Sequence, residues 1–397
     1  MYSIIPISTQ NDNEFILMFA VRVGAINDPP HLAGISHLLE HILFFSKHVH
    51  SSYFTELGKL AVFNAQTSLD TTTFFIKCNF DNYQQICSKF FFVIKSLTVT
   101  TKQLEIERQV VIEEIVTNKS PLDTFSIMHA GTPYANDAGG TEKTVKNITM
   151  KDLNNHYEKY YNDVNVFFVA PERHHKLVQN YLANLLHSSR FSKTRQNQNG
   201  VMEMYVHKSV KNAQQIVIRK GTKTGNCEYI LTIKTCPYYL KQLRKWYDLY
   251  AITVKEKLYE IVREKYGQMY NAVVNHNYYH MSGNLVVFIR TKPGKHKILE
   301  LLLPIMLSCI DESKSAAHIQ QYEAHQKIRE NNHFTLLQKQ MMETMFTCTE
   351  NMQDFTKFNP KIGLFVSGAS IPKKIESSLF VLMSRLSDLS ADKIDSL

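Results

Sequence analysis

Apolar and polar residues follow two rhythms along this chain. Phe15 to Val23 and Thr72 to Phe80 are short runs rich in β-branched and aromatic residues, which predict strands. Over 34–48, 81–98, 102–118 and 151–161 apolar positions recur every three to four residues, which predicts helices, and Thr149 stands where the last of them needs an N-cap. Ser192 to Gly200 is polar and ends in Asn199 and Gly200, a turn dipeptide. The chain is therefore expected to divide there, into a domain over 1–192 and a second over 201–397. Strands at Gln214–Ile218, Glu228–Thr235, Leu285–Ile289 and Ile362–Ser367, with helices at 239–265, 294–310 and 314–350, repeat the same strand–helix logic after the division.

The first of these helices carries the candidate chemistry. His37, Glu40 and His41 stand at i, i+3 and i+4 and share one face. Two imidazoles one turn apart can grip one zinc ion, and a carboxylate beside them can take a proton from water that the metal activates. With 17 histidines in the chain, this pattern arises by chance about 0.04 times, so it calls for a third ligand. The helix over 102–118 offers one. Its apolar residues Ile106, Val110, Val111 and Ile115 predict one buried face. Glu107 and Glu114 lie two turns apart on a common face, so one can ligate zinc while the other orients a ligand. Glu113 is a rival ligand, but it points well away from Glu107 around the helix. His48 and His50 have i, i+2 spacing and read as a solvated loop.

On these residues the chain resembles the pitrilysin-type (M16) zinc metallopeptidases, whose members carry His-x-x-Glu-His and, seventy-odd residues later, a segment like Glu107 to Glu114. The resemblance makes His37, His41 and Glu114 the ligands of one zinc per chain, Glu40 the general base and Glu107 the carboxylate that orients a ligand. It extends further. Asn64, Ala65 and Thr67 match an edge strand of the family that pairs with substrate backbone, which makes Asn64 and Ala65 substrate contacts. Gly139 to Glu142 and Tyr160 to Val166 resemble the later part of the first family domain. Leu258 to Tyr270 resembles a segment of the second, in which Arg263 and Tyr270 would contact substrate. The implied fold is α+β, with two similar domains, each a mainly antiparallel sheet flanked by helices (the pitrilysin/LuxS-like metallohydrolase fold). The second domain is expected to be trimmed at the C-terminus or completed from elsewhere. The last hundred residues match only loosely.

Composition narrows the partners. The chain has 397 residues, 44% hydrophobic and 20% charged, which suits packed cores and not disorder. A net charge of +9 raises the question of nucleic acid. The basic residues are dispersed, however, and the densest group, Lys208 and Lys211 through Arg219, Lys220 and Lys223, has no nucleic-acid motif beside it. No nucleic-acid partner is expected. The six cysteines form no Cys-x-x-Cys and read as buried free thiols. The apolar run from Phe15 is too short to span a bilayer and contains Arg22. Without a basic leader before it, the chain is expected to be soluble and intracellular, cytoplasmic in preference to organellar, with no membrane span.

Two functions follow. The first is a zinc endopeptidase acting on peptides or unfolded precursor proteins, which bind along the edge strand. The second is a catalytically silent M16-like subunit that serves as an interaction or substrate-binding partner. The intact His37, Glu40, His41 and Glu114 favour the first. Either would work as a homo- or heterodimer with another M16-like chain.

Overall fold

The computed structural model describes residues 2–44, 51–118, 128–187, 216–220, 227–267, 269, 271–291, 298–313, 316–330, 332–346, 362–367 and 374–387. The chain divides into two compact units. The first comprises Met1–Ser120, Thr132–Ser209 and Glu330–Met345, and the second Pro121–Gly131, Val210–Arg329 and Phe346–Leu397.

The first unit is built on five strands, β1 (Tyr2–Ser8), β2 (Glu14–Val21), β3 (Ala61–Thr67), β4 (Thr72–Asn79) and β5 (Val164–Ala170). Their order in the sheet is β1-β5-β2-β4-β3. Only β1 and β5 run parallel, and the other pairs are antiparallel. Every residue of β2 is buried, because both faces of the sheet are covered there. Phe15, Leu17, Phe19 and Val21 enter the main core, beside α1 (Ile35–Phe44), α3 (Tyr83–Lys95) and α4 (Thr101–Asn118). Ile16, Met18 and Ala20 alternate with them and are buried on the opposite face. A helix from late in the chain, His333–Met345, packs on β2 and β5. It buries Leu337 and Met341, and Phe334 lies 4.7 Å from Phe75 between ring centroids. α2 (Ser51–Leu60), α5 (Glu142–Asn147), α6 (Met150–Tyr160) and α7 (His175–His187) complete the unit.

The second unit repeats this topology. Its strands are β6 (Ile216–Lys220), β7 (Cys227–Thr235), β8 (Asn271–Tyr278), β9 (Gly283–Thr291) and β10 (Ile362–Ser367), in the order β6-β10-β7-β9-β8. Again the outer strand β6 pairs in parallel with the last, β10. Its core gathers Trp246, Tyr247 and Tyr250 from α8 (Lys241–Lys257) against Leu231, Ile233, Leu285 and Val287. α8 continues into a π-helical turn at Leu258–Lys265. α9 (Ile298–Glu312), α10 (Ala316–Glu330) and α12 (Ile375–Ser387) follow. The fold is therefore α+β, with two mainly antiparallel sheets flanked by helices.

Three elements differ from the pattern reading. The single helix expected over 314–350 is two, α10 and α11 (His333–Met345), because Asn332 caps the second: its side-chain oxygen accepts from the backbone N–H of Phe334 at 3.0 Å and of Thr335 at 3.3 Å. The expected buried face of α4 is also turned. Of the expected face Val111 and Ile115 do pack on the core, but Ile106 and Val110 are 50% and 40% exposed, and Leu104, Glu107 and Ile112 are buried instead. The helix rotates to carry the Glu107 carboxylate inward, where His41 meets it. Finally, α2 has no counterpart among the helices expected from the pattern. The proposed division at 192–200 lies outside the described residues. Cys78, Cys87, Cys227, Cys236 and Cys309 are buried free thiols. Among the described residues no helix is long and apolar enough to cross a membrane.

Candidate metal centre

The helix α1 is seated before it is functional. Gly34 precedes it at φ 94°, a left-handed value, and Gly140 lies against it at φ 72°. A Cβ on Gly34 would lie 2.4 Å from the Gly139 carbonyl oxygen, and one on Gly140 would lie 2.1 Å from that of Ala33. Backbone therefore packs on backbone at the start of the helix. Asp28 holds the same end. Its Oδ2 accepts from the Gly34 N–H at 2.8 Å, and its Oδ1 accepts from the Ser36 hydroxyl at 2.6 Å and the Ser36 N–H at 3.3 Å. Ser36 Oγ also lies 3.0 Å from His156 Nε2, on α6. Burial pushes the Asp28 carboxyl up to about 7 and the His156 imidazole down to about 3. Leu38, Leu39, Ile42 and Leu43 then fill the core, which leaves His37, Glu40 and His41 on the remaining face.

That face meets α4 in a triangle of ligand atoms. His37 Nε2 is 3.2 Å from His41 Nε2, 3.5 Å from Glu114 Oε2, and His41 Nε2 is 3.6 Å from the same oxygen. Edges of this size give a circumradius of about 2.0 Å, so one point lies within the roughly 2.0–2.2 Å reach of zinc from all three atoms. The donor set fits such an ion. Burial, and then the neighbouring His41, lowers the His37 imidazole to about 4, so it is neutral with a free lone pair. His41 is oriented from behind: its Nδ1 lies 3.2 Å from Oε2 of the buried Glu107. Burial opposes charge on His41, but the Glu107 hydrogen bond and the charges of Glu114, Glu40 and Glu107 outweigh it and raise its pKa. Among the described residues, these three are the cluster of side chains able to hold a metal. Glu113 is exposed and turns away.

Glu40 projects into the same cleft, of about 460 Å³, which is walled by His37, His41, Glu114 and the strand from Phe63 to Thr67. The carboxylate is 8% exposed, and Thr67 Oγ1 donates to its Oε2 at 2.7 Å. Burial raises the Glu40 pKa against the lowering effect of that bond. Among the described residues the strand in question, β3, is an edge of its sheet, and its outer side meets no further strand of them. The Ala65 N–H is satisfied by the Asn64 side-chain oxygen at 2.9 Å. Arg263 belongs to the second unit, where it is exposed and sits 5.4 Å from the Tyr259 ring. Tyr270 lies outside the described residues, as do His48 and His50. Sequence reasoning did not single out Thr67, Asp28 or His156 for a role. Thr67 stood inside the quoted edge-strand motif, but nothing local in the chain marks its partner.

Two family profiles match the chain. One, described as insulinase (peptidase family M16), matches residues 5–140, and the other, described as the peptidase M16 inactive domain, matches residues 147–329. The chain is 31% identical over 159 residues to the zinc protease PqqE of Helicobacter pylori, a match that takes in 38% of this chain and 36% of that relative. It is 28% identical over 138 residues to the mitochondrial-processing peptidase subunit beta of Caenorhabditis elegans, covering 32% of this chain and 30% of that one. The matches thus span about a third of each of these curated relatives. The crystal structure of a protease from Helicobacter pylori superposes with a TM-score of 0.72 at 16% identity, over 91% of this chain and 96% of that one. The chain belongs to the M16 peptidase family.

Proposed function

We propose that this M16 family member is a zinc-dependent endopeptidase that hydrolyses peptides or precursor proteins. The observation that carries the reading is the convergence, in one cleft, of three ligand atoms on a zinc-sized triangle, a buried carboxylate and an unpaired sheet edge.

His37, His41 and Glu114 would hold the ion, and Glu107 would keep His41 in the tautomer that offers Nε2. A zinc ion bound there supplies a lowered water pKa and a polarised scissile carbonyl. Glu40 takes the proton of the attacking water on its carboxylate and returns it to the leaving amine. Its partial burial removes competing solvent from that transfer. A substrate in extended form would add a strand to the outer side of β3, with Asn64 turning aside so that the Ala65 N–H can donate to a peptide carbonyl. Arg263 and Tyr270 are assigned to further substrate contacts. In this reading residues 1–192 form the catalytic domain and 201–397 a second M16-like domain, and the chain works as a dimer with another M16-type chain. A relative named as a subunit supports the last point.

The test is metal analysis with activity. The purified chain should hold about one zinc, with chelator-sensitive cleavage of a quenched peptide library. Glu114→Gln should lose the metal and the cleavage together. Full zinc and full cleavage in that variant would remove Glu114 from the site. Zinc bound without any cleavage would point to a missing partner chain or a very selective substrate, and the absence of both zinc and cleavage would favour the silent-subunit reading.

A further inference from the structure

Glu40 is gripped by one residue of the strand that would receive the peptide. Thr67 is the last residue of β3, and its hydroxyl donates to Glu40 Oε2 at 2.7 Å. The hydroxyl is directed. The neighbouring Thr72 Oγ1, 3.5 Å away, gives its own proton to the Val23 carbonyl at 2.9 Å. Thr72 can therefore only accept, and an ionised carboxylate can only accept, so Thr67 spends its proton on the stronger of the two. The outer edge of β3 ends at the Glu40 carboxylate, and a peptide laid along the strand from Phe63 toward Thr67 runs up to it.

We infer that Thr67 is the positioning residue of Glu40, fixing through its hydroxyl which carboxylate oxygen is free to exchange a proton with the attacking water. The inference rests on the peptidase reading above. Oε2 is tied to the strand end, in a carboxylate that lines the cleft. A side chain with several rotamers, held this way, presents its reactive atom in one place, and about 1 Å of misplacement can cost on the order of 10²-fold in rate. Among the described residues no hydrogen bond joins Thr67 to any of the three zinc ligands, so its loss should leave metal and peptide binding as they are. That separates it from Glu107, which acts on His41.

The test compares wild type, Thr67→Val and Thr67→Ser, all zinc-loaded, with Glu40→Gln in parallel. Valine keeps the β-branched shape and removes the donor, whereas serine keeps the donor. Thr67→Val should lower kcat by about 10–100-fold with KM unchanged. Its zinc affinity, read by competition with a chelating dye, should match wild type, and its thermal unfolding should stay cooperative. Thr67→Ser should restore most of kcat. Introducing Thr67→Val into Glu40→Gln should add no further loss, because the residue it positions is already gone. An unchanged kcat in Thr67→Val, alongside an inactive Glu40→Gln, overturns the inference and leaves the peptidase reading standing. Equal losses in the valine and serine variants, or a parallel fall in zinc affinity, also overturn it, since Thr67 would then only support the strand. A wild type that does not cleave, or cleaves no better than Glu40→Gln, overturns both.

Discussion

His41 and Glu107 are 66 positions apart and meet with Nδ1 at 3.2 Å from Oε2, at a carboxylate that is only 3% exposed. Such a bond fixes the ring's tautomer and plane, and it explains why an otherwise costly buried carboxylate is kept on α4. Glu107→Ala should weaken zinc binding by about 10–100-fold with the ligand triangle still present. Competition against a chelating dye measures it, and an affinity equal to wild type would show that the pair is idle.

The start of α1 depends on backbone contact that no side chain can share. Gly140→Ala forces a left-handed residue and drives a Cβ to 2.1 Å from the Ala33 oxygen. It should destabilise the chain by at least about 1–3 kcal/mol in chemical unfolding. Gly58→Ala is the control. It lies in α2 with nothing within 4 Å of the new Cβ, so it should be neutral or stabilise by about 0.4–1 kcal/mol.

The Asp28, Ser36 and His156 cluster makes an unusual forecast about acid. Asp28 has its folded pKa raised from 3.8 to about 7, so between those values the folded state holds the extra proton and stability falls as pH rises. His156 is lowered from 6.5 to about 3, so the unfolded state binds the extra proton and stability falls as pH drops through that window. Between pH 3.8 and 6.5 the two slopes oppose and nearly cancel. Asp28→Asn leaves His156 alone. Its stability should drop by about 1.4 kcal/mol per pH unit more steeply than wild type in that window. Urea midpoints at several pH values report the slopes, and parallel curves for the two proteins would contradict the opposition.

The rotated face of α4 gives a packing forecast. Ile106→Ser, at a half-exposed position, should change stability by less than about 0.5 kcal/mol. Leu39→Ala, fully buried on α1, should cost about 2–5 kcal/mol. A large loss at Ile106 would mean that this face is covered in solution.

These cases show what the chain makes legible. His37, Glu40 and His41 lie within five residues on one helix, so helical geometry alone places them together. Glu107 and Glu114 share a helix as well, and their spacing limits the roles each can take. The burial of α4 was not legible, because apolar spacing alone favoured Ile106 and Val110, while the deciding force is a carboxylate turned toward a histidine on another helix. The break before His333 hangs on a single capping side chain, Asn332, inside an otherwise helical pattern. Thr67 and His156 reach partners 27 and 120 positions away, and contacts of that kind are settled by the packed sheet and helices.

The central claim is that Glu40 carries out proton transfer beside a bound zinc ion. The most direct test is the rate at which zinc-loaded Glu40→Gln cleaves a peptide that the wild type cleaves, with metal content measured on the same samples. Retained zinc with cleavage reduced to background is the expected result. Equal cleavage by the two proteins at equal zinc content would contradict the claim.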